Sequence, residues 1–207
     1  MAGSDETFLQ KLTRAFATLE AQSSVSTRDF TDAIETMFPV FDHLGTVFHF
    51  AKGEMNTKKD SLQKVQHQLP TLDAVVAADK KSNTVTKKNS GSRNLHRLLT
   101  AVLFVSGLLQ NMAKNSATTL RQAASEAYDA TLAPVHTYFV RTAVKASLYL
   151  LPDRATFLHS IGETEETAKV RAAGFVPKVG TFVERVMHLY DGTSMPASDV
   201  RFLPSAS

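Results

Sequence analysis

Residues 92–110, SRNLHRLLTAVLFVSGLLQ, constrain this chain more than any other stretch. Leu95, Leu98, Leu99, Val102, Leu103, Phe104, Val105, Leu108 and Leu109 recur so densely that a helix here has no polar face beyond its first two turns. A helix that is apolar nearly all round must be enclosed by others. Ser92 is placed to cap its start. Arg93 and Arg97 then fall one turn apart on one face, where local physics opposes them. Like charges at that spacing repel by roughly 0.2–0.5 kcal/mol, and cations near the positive end of the helix dipole cost roughly 0.3–1 kcal/mol more. Such a pair either snorkels into water or answers an anion, and phosphate suits the forked guanidinium donors.

The helices needed to enclose that stretch can be read on both sides of it. Phe8, Leu12, Ala15, Phe16 and Leu19 follow Ser4 and Asp5 at helical spacing, with those two residues as a capped start. Ser26 or Thr27 caps a second helix carrying Phe30, Ile34, Met37, Phe38 and Phe41, with Pro39 as a kink. Residues 43–50 continue one apolar side until Gly53 ends or bends it. Met55, Leu62, Val65 and Leu69 mark a more polar helix that stops at Pro70, and Leu72, Val75 and Val76 a short one. Residues 82–92, SNTVTKKNSGS, read as the clearest loop. Beyond the central helix come an Ala-rich helix over 120–132, a dense apolar face over 136–151, a short helix over 154–161 and a long one over 163–190 with Pro177 as a kink. No strand alternation, internal repeat or linker interrupts the pattern. The reading is one all-α domain spanning residues 1–207, with about eight helices, a core over 8–190 and a loosely ordered tail over 191–207.

Composition excludes several classes of function. The chain lacks cysteine, so it has no disulfide, thiol catalysis or cysteine metal site, which fits a reducing compartment. A net charge of +3 is too small to argue for nucleic acid. No secretory signal is expected in MAGSDETF, and the run 98–109 is too short to span a bilayer. The seven histidines form no HExxH arrangement, and neither a Gly-rich phosphate loop nor a GxSxG elbow is present. No enzyme, metal or cofactor is expected, and the protein is read as cytoplasmic.

Two polar features remain. Glu54 and Lys58 share a helix face at i,i+4, which a surface ion pair would also explain. His136 precedes an apolar helical run, where a satisfied core histidine is the plainer alternative. Three segments order these features: FDHLGTVFHFAKGEMNTKK (41–59), GSRNLHRLL (91–99) and APVHTYFVRTAVKASLYLLPDR (133–154). Their content, order and spacing resemble the glycolipid transfer protein family from about Phe8 to Tyr190. Within it they resemble the branch of ceramide-1-phosphate transfer proteins and the plant accelerated-cell-death protein.

The resemblance implies a two-layer helical sandwich with an internal apolar lipid tunnel and no catalysis. It implies that Lys58, Arg93 and Arg97 bind a headgroup phosphate, and that Glu54 and His136 bind the ceramide amide. The family's acidic position is usually aspartate, so Glu54 adds a methylene. Tyr138 stands where the family usually has tryptophan, and it is expected to pack beside His136. Tyr138, Arg141 and Lys145 form the expected membrane-docking rim. The implied partners are a sphingolipid, ceramide-1-phosphate above all, and a transient membrane surface. The protein is expected to be a monomer, peripherally membrane-associated, that carries lipid between membranes. The alternative is a lipid sensor or helical adaptor that binds anionic headgroups without transfer.

Overall fold

The structure is a computed structural model and describes residues 6–195, the side chain of Val47 excepted. The expected caps at Ser4 and Asp5 and the tail beyond residue 195 lie outside the described residues. Among those residues the chain forms ten α-helices, eight of them with ten or more residues, and one isolated antiparallel bridge between Ser26 and Thr71.

The first helix, α1 (Phe8–Glu20), starts at Thr7, which forms a capping box with Gln10. Ser26 caps α2 (Thr27–Met37). Pro39 does not kink one helix; it occupies the first turn of a separate short helix, α3 (Pro39–His43), where its missing N–H is harmless. Gly53 neither ends nor begins a helix, because α4 (His49–Val65) runs through it, with Met55, Lys59 and Leu62 buried beyond. After α5 (Leu72–Lys81) comes the central helix, α6 (Gly91–Lys114). The remaining helices are α7 (Leu120–Thr131), α8 (Tyr138–Ser147), α9 (Arg154–Ser160) and α10 (Glu165–Met187), the last continuing through Pro177.

Eighteen of the 24 residues of α6 are buried, which makes it the hub that its sequence demands. It packs against α4, α5, α7 and α10, while α1 closes on α10 and α2 on α1 and α4, giving the two-layer arrangement. Aromatic rings lock the outer pair. Phe16 meets Phe175 edge-on at 5.6 Å and Phe182 at 5.8 Å, and Phe30 lies 6.1 Å from Phe182. Each such pair adds about 0.5–1.5 kcal/mol beyond simple burial.

The start of α6 corrects the sequence reading in two ways. Its N-cap is Ser90, whose hydroxyl accepts from the Arg93 N–H at 3.1 Å, and Ser92 lies buried inside the first turn. The anion wanted by the helix dipole is supplied internally. Asp79 of α5 accepts from the Ser92 N–H at 2.7 Å and from the Thr84 hydroxyl at 2.6 Å. Gly91 permits this approach, since a Cβ there would lie 2.8 Å from Val75 Cγ1.

The apolar body of α6 is packed, with every residue from 98 to 109 buried. The clefts of note among the described residues lie elsewhere. One of about 330 Å³ sits by Arg154 and Glu165 at the C-terminal end of α6, and a smaller one lies on α10. The helix expected over 136–151 is also shorter and differently placed than its apolar pattern suggests. None of the ten residues of α8 is buried, and the first buried side chain after it is Leu148.

Candidate functional site

Three chain segments converge at the N-terminal half of α6. Arg93 and Arg97 project from α6, Lys58 and Glu54 from α4, and His136 from an extended residue after the 3-10 turn Ala133–Val135. Their proximity is electrostatic as well as topological. The proton affinity of His136 falls below the usual imidazole value, first through burial and then through the positive charges of Arg97, Lys58 and Arg141. Arg97 is also shifted down, by burial and then by neighbouring Arg93, with a partial offset from Tyr190. An arginine stays charged under such shifts. These groups therefore form a half-buried cationic site around a neutral imidazole.

Each cation is held differently. Arg93 donates to the Thr86 carbonyl at 3.2 Å, which pins it to the α5–α6 loop. Arg97 donates through Nη1 to His96 Nδ1 at 3.0 Å. Lys58 donates to the Glu54 carboxylate at 3.0 Å and to its backbone carbonyl at 3.2 Å. Among the described residues, no carboxylate lies within ion-pair distance of Arg93, Arg97 or Arg141. The Glu54–Lys58 contact is the i,i+4 ion pair that local sequence suggests, and its carboxylate remains largely exposed.

The aromatic partner of His136 differs from the expected one. Tyr128, buried in α7, places its hydroxyl 3.0 Å from His136 Nδ1, with ring centroids 5.7 Å apart. Burial, and then Asp129, push the Tyr128 phenol up to about 12, so its proton is retained at neutral pH. Tyr138 instead stands 70% exposed against Phe139, at 5.9 Å edge-on. It is therefore not packed on His136. His136 is extended and precedes the cap, Thr137, while Tyr138 begins a new helix.

The expected docking rim is only partly free. Lys145 is paired with Asp129 at 3.2 Å, whereas Arg141 has no such carboxylate among the described residues. Phe139, 84% exposed, is more prominent than Tyr138, and Tyr149 and Leu150 are also exposed. Tyr138 and Phe139 open α8, whereas Tyr149 and Leu150 lie in the following 3-10 turn Leu148–Leu150, where the Arg121 guanidinium of α7 sits 4.8 Å over the Tyr149 ring. Phe50, at the start of α4, is exposed as well.

Two residues of this site escape a reading by pattern. His96 is fully buried on α6, and a polar residue inside an apolar helix is the signal that marks it. Tyr128 carries no such signal, because only the turn over Ala133–Val135 brings α7 against His136.

A helical sandwich built round a buried helix, with cations at one end and apolar side chains exposed beside them, defines a protein that can hold an anionic amphiphile. The sequence profile of the glycolipid transfer protein family matches residues 25–163. An ACD11 homolog of Arabidopsis thaliana is 30% identical over 162 residues, covering 78% of this chain and 71% of that protein. Accelerated cell death 11 of Arabidopsis thaliana is 28% identical over 188 residues, covering 88% and 91%. A crystal structure of a mutant of Arabidopsis ACD11 complexed with ceramide-1-phosphate superposes with a TM-score of 0.83 at 27% identity, covering 89% of this chain and 95% of that one. The chain belongs to the glycolipid transfer protein family, a family of lipid transfer proteins. Among the described residues, no helix is long and apolar enough to cross a membrane.

Proposed function

We propose that this protein binds a phosphorylated sphingolipid, ceramide-1-phosphate fitting best, and transfers it between membranes. The observation that carries this reading is the convergence of Arg97, Lys58 and Arg141 around a neutral His136, with Arg93 beside Arg97. A phosphate is the headgroup that answers three or four cations; a neutral sugar would leave them unpaired at a cost. Lys58, Arg93 and Arg97 bind the phosphate through charge-assisted contacts. His136 donates to the amide carbonyl, and Glu54 accepts from the amide N–H after Lys58 turns to the phosphate. The relative crystallised with ceramide-1-phosphate supports the same ligand class.

The lipid chains occupy space opened between the helix layers, since the body of α6 is closed by packing here. Burying each methylene contributes about 0.8 kcal/mol, so the chains supply affinity and the cations supply selectivity. The start of α8 with exposed Tyr138 and Phe139, and the 3-10 turn after it with exposed Tyr149 and Leu150, dock on the membrane, with Arg141 and Lys145 beside them. No covalent step is needed. The protein acts as a monomer, cytoplasmic and peripherally associated, in one domain.

The test is transfer of fluorescent ceramide-1-phosphate between vesicles, with galactosylceramide as control. Wild type is expected to move the phosphorylated lipid preferentially. Arg97→Leu is expected to lose roughly tenfold to a hundredfold, the value of one hydrogen bond to a charged group. Failure of wild type to bind either lipid, or full transfer by Arg97→Leu, sinks the reading. Binding of ceramide-1-phosphate without transfer establishes a sensor or adaptor instead.

A further inference from the structure

Arg97 is a half-buried cation of the site, and its partner is unusual. A half-buried guanidinium is commonly anchored by a carboxylate, which fixes its plane but cancels its charge. Here the partner is an imidazole, His96 Nδ1, 3.0 Å from Arg97 Nη1. A guanidinium has no acceptor, so Arg97 donates and Nδ1 must carry no proton; the His96 ring is therefore neutral in this contact. That ring is fully buried and meets the Tyr190 ring edge-on at 5.5 Å. Tyr190 is anchored in turn, donating its hydroxyl to the Ser92 carbonyl at 2.7 Å, one turn before His96. Asp79 holds the Ser92 N–H from the other side. The imidazole thus sits in a frame tied to the first turn of α6, α5 and the end of α10.

We propose that His96 is the positioning residue of the anion site: a buried neutral acceptor that fixes the Arg97 guanidinium without cancelling its charge, so that a phosphate headgroup meets an oriented and uncompensated cation. The inference rests on the phosphate-binding role assigned above to Arg97. One donor of Arg97 is committed to His96, and the remaining donors are held in a fixed fork. With a carboxylate in this place, the guanidinium would be just as fixed but its own charge would be cancelled, and headgroup selection would weaken.

The experiment compares three substitutions. His96→Asn keeps an acceptor near the position of Nδ1, His96→Leu removes it, and His96→Asp keeps it but adds a negative charge. Two readouts are taken on the full chain: the ratio of affinities for vesicles containing ceramide-1-phosphate and ceramide, and the resolved NMR signals of the Arg97 guanidinium in lipid-free protein. His96→Leu is expected to lower the affinity ratio about tenfold and to average the Arg97 signals, as a lost hydrogen bond to a charged group implies. His96→Asn is expected to restore most of both. His96→Asp is expected to keep the Arg97 signals resolved while lowering the ratio, a split that a merely structural histidine would not produce. Thermal unfolding shows which variants are folded. If His96→Leu is not, the Asn and Asp pair decides. An unchanged ratio in His96→Asp, or averaged Arg97 signals in His96→Asn, overturns the proposal. If wild type shows no preference for the phosphorylated lipid, the phosphate role itself fails and the proposal with it. The Arg97 signals then report only whether the anchoring contact exists.

Discussion

Gly91→Ala places a methyl group where α5 and α6 approach most closely. The new Cβ would lie 2.8 Å from Val75 Cγ1 and 3.6 Å from Asp79 Oδ2, against an optimum of roughly 3.5–4.0 Å between carbons. Val75 cannot turn aside cheaply, because it is 1% exposed and its branched side chain has one preferred helical rotamer. Overpacking of this kind costs about 1–3 kcal/mol. Replacing glycine by alanine in a helix returns about 1 kcal/mol, so the net loss is up to about 2 kcal/mol. For a chain of this length that lowers Tm by up to roughly 8 °C. The displacement also strains the Asp79–Ser92 contact, so the orientation of Arg93 and Arg97 shifts and preference for phosphorylated lipid falls with stability. Calorimetry on Gly91→Ala, Val75→Ala and the double variant isolates the cause. Shortening Val75 should relieve the clash, giving a coupling of about 1 kcal/mol or more. A rise in Tm for Gly91→Ala alone, or strict additivity, refutes the close-approach argument.

Three further outcomes follow from other contacts. Arg154 binds Glu165 through two bonds of 2.7 and 2.6 Å and also donates to the Met112, Asn115 and Thr118 carbonyls. Arg154→Ala should cost about 2–4 kcal/mol in urea unfolding, after discounting for the exposed glutamate, and Arg154→Lys should recover little, because one ammonium cannot reach those acceptors; wild-type stability in the lysine variant would contradict this. Phe139→Ser should change stability by less than about 0.5 kcal/mol yet weaken vesicle binding roughly tenfold, as expected for a lost aromatic contact; unchanged vesicle binding would place the docking face elsewhere. His136 has its proton affinity depressed in the fold, so the unfolded chain takes up its proton first as pH falls. The stability linked to neutral His136 is present above about pH 6.5 and is lost below it. Comparison with His136→Gln over pH 7.5 to 5 should show wild type losing stability relative to the variant, and parallel curves would exclude the linkage.

The fold was legible where burial is one-sided or complete. The unbroken apolar run on α6 demanded enclosing helices, and the packed aromatic rings of Phe16, Phe30 and Phe182 sit on the stripes that periodicity marks. Periodicity misled for α8, because an amphipathic helix left exposed has the same pattern as one packed inward; only exposure separates them. The start of α6 was misplaced by one cap because Ser90 and Ser92 offer the same hydroxyl. What decides between them is Asp79, which is distant in sequence and claims the Ser92 N–H. The anion site was visible as an anomaly, since Arg93 and Arg97 are unfavourable where they stand. Its supporting residues were not. Tyr128 reaches His136 through a turn, and His96 acts on its own chain neighbour.

The chemistry of the site then depends on which groups stay uncharged. Burial first, and then the positive charges of Arg97, Lys58 and Arg141, lower the proton affinity of His136 and keep it neutral. Tyr128 retains its proton because burial pushes its phenol up to about 12, so its hydroxyl can donate to His136 Nδ1. The imidazole proton is then on Nε2, the atom left to face an amide carbonyl. Burial and the cations keep the ring neutral, Tyr128 sets its tautomer, and in the proposed function the two together leave Nε2 to read the amide. Glu54 completes the linkage from the other side. Its carboxylate accepts from Lys58 Nζ at 3.0 Å, and in the proposed function a phosphate that draws Lys58 away frees it to accept from the amide N–H. Headgroup and amide recognition are on this reading one coupled event, and a substitution at Lys58 should disturb both rather than the phosphate contact alone.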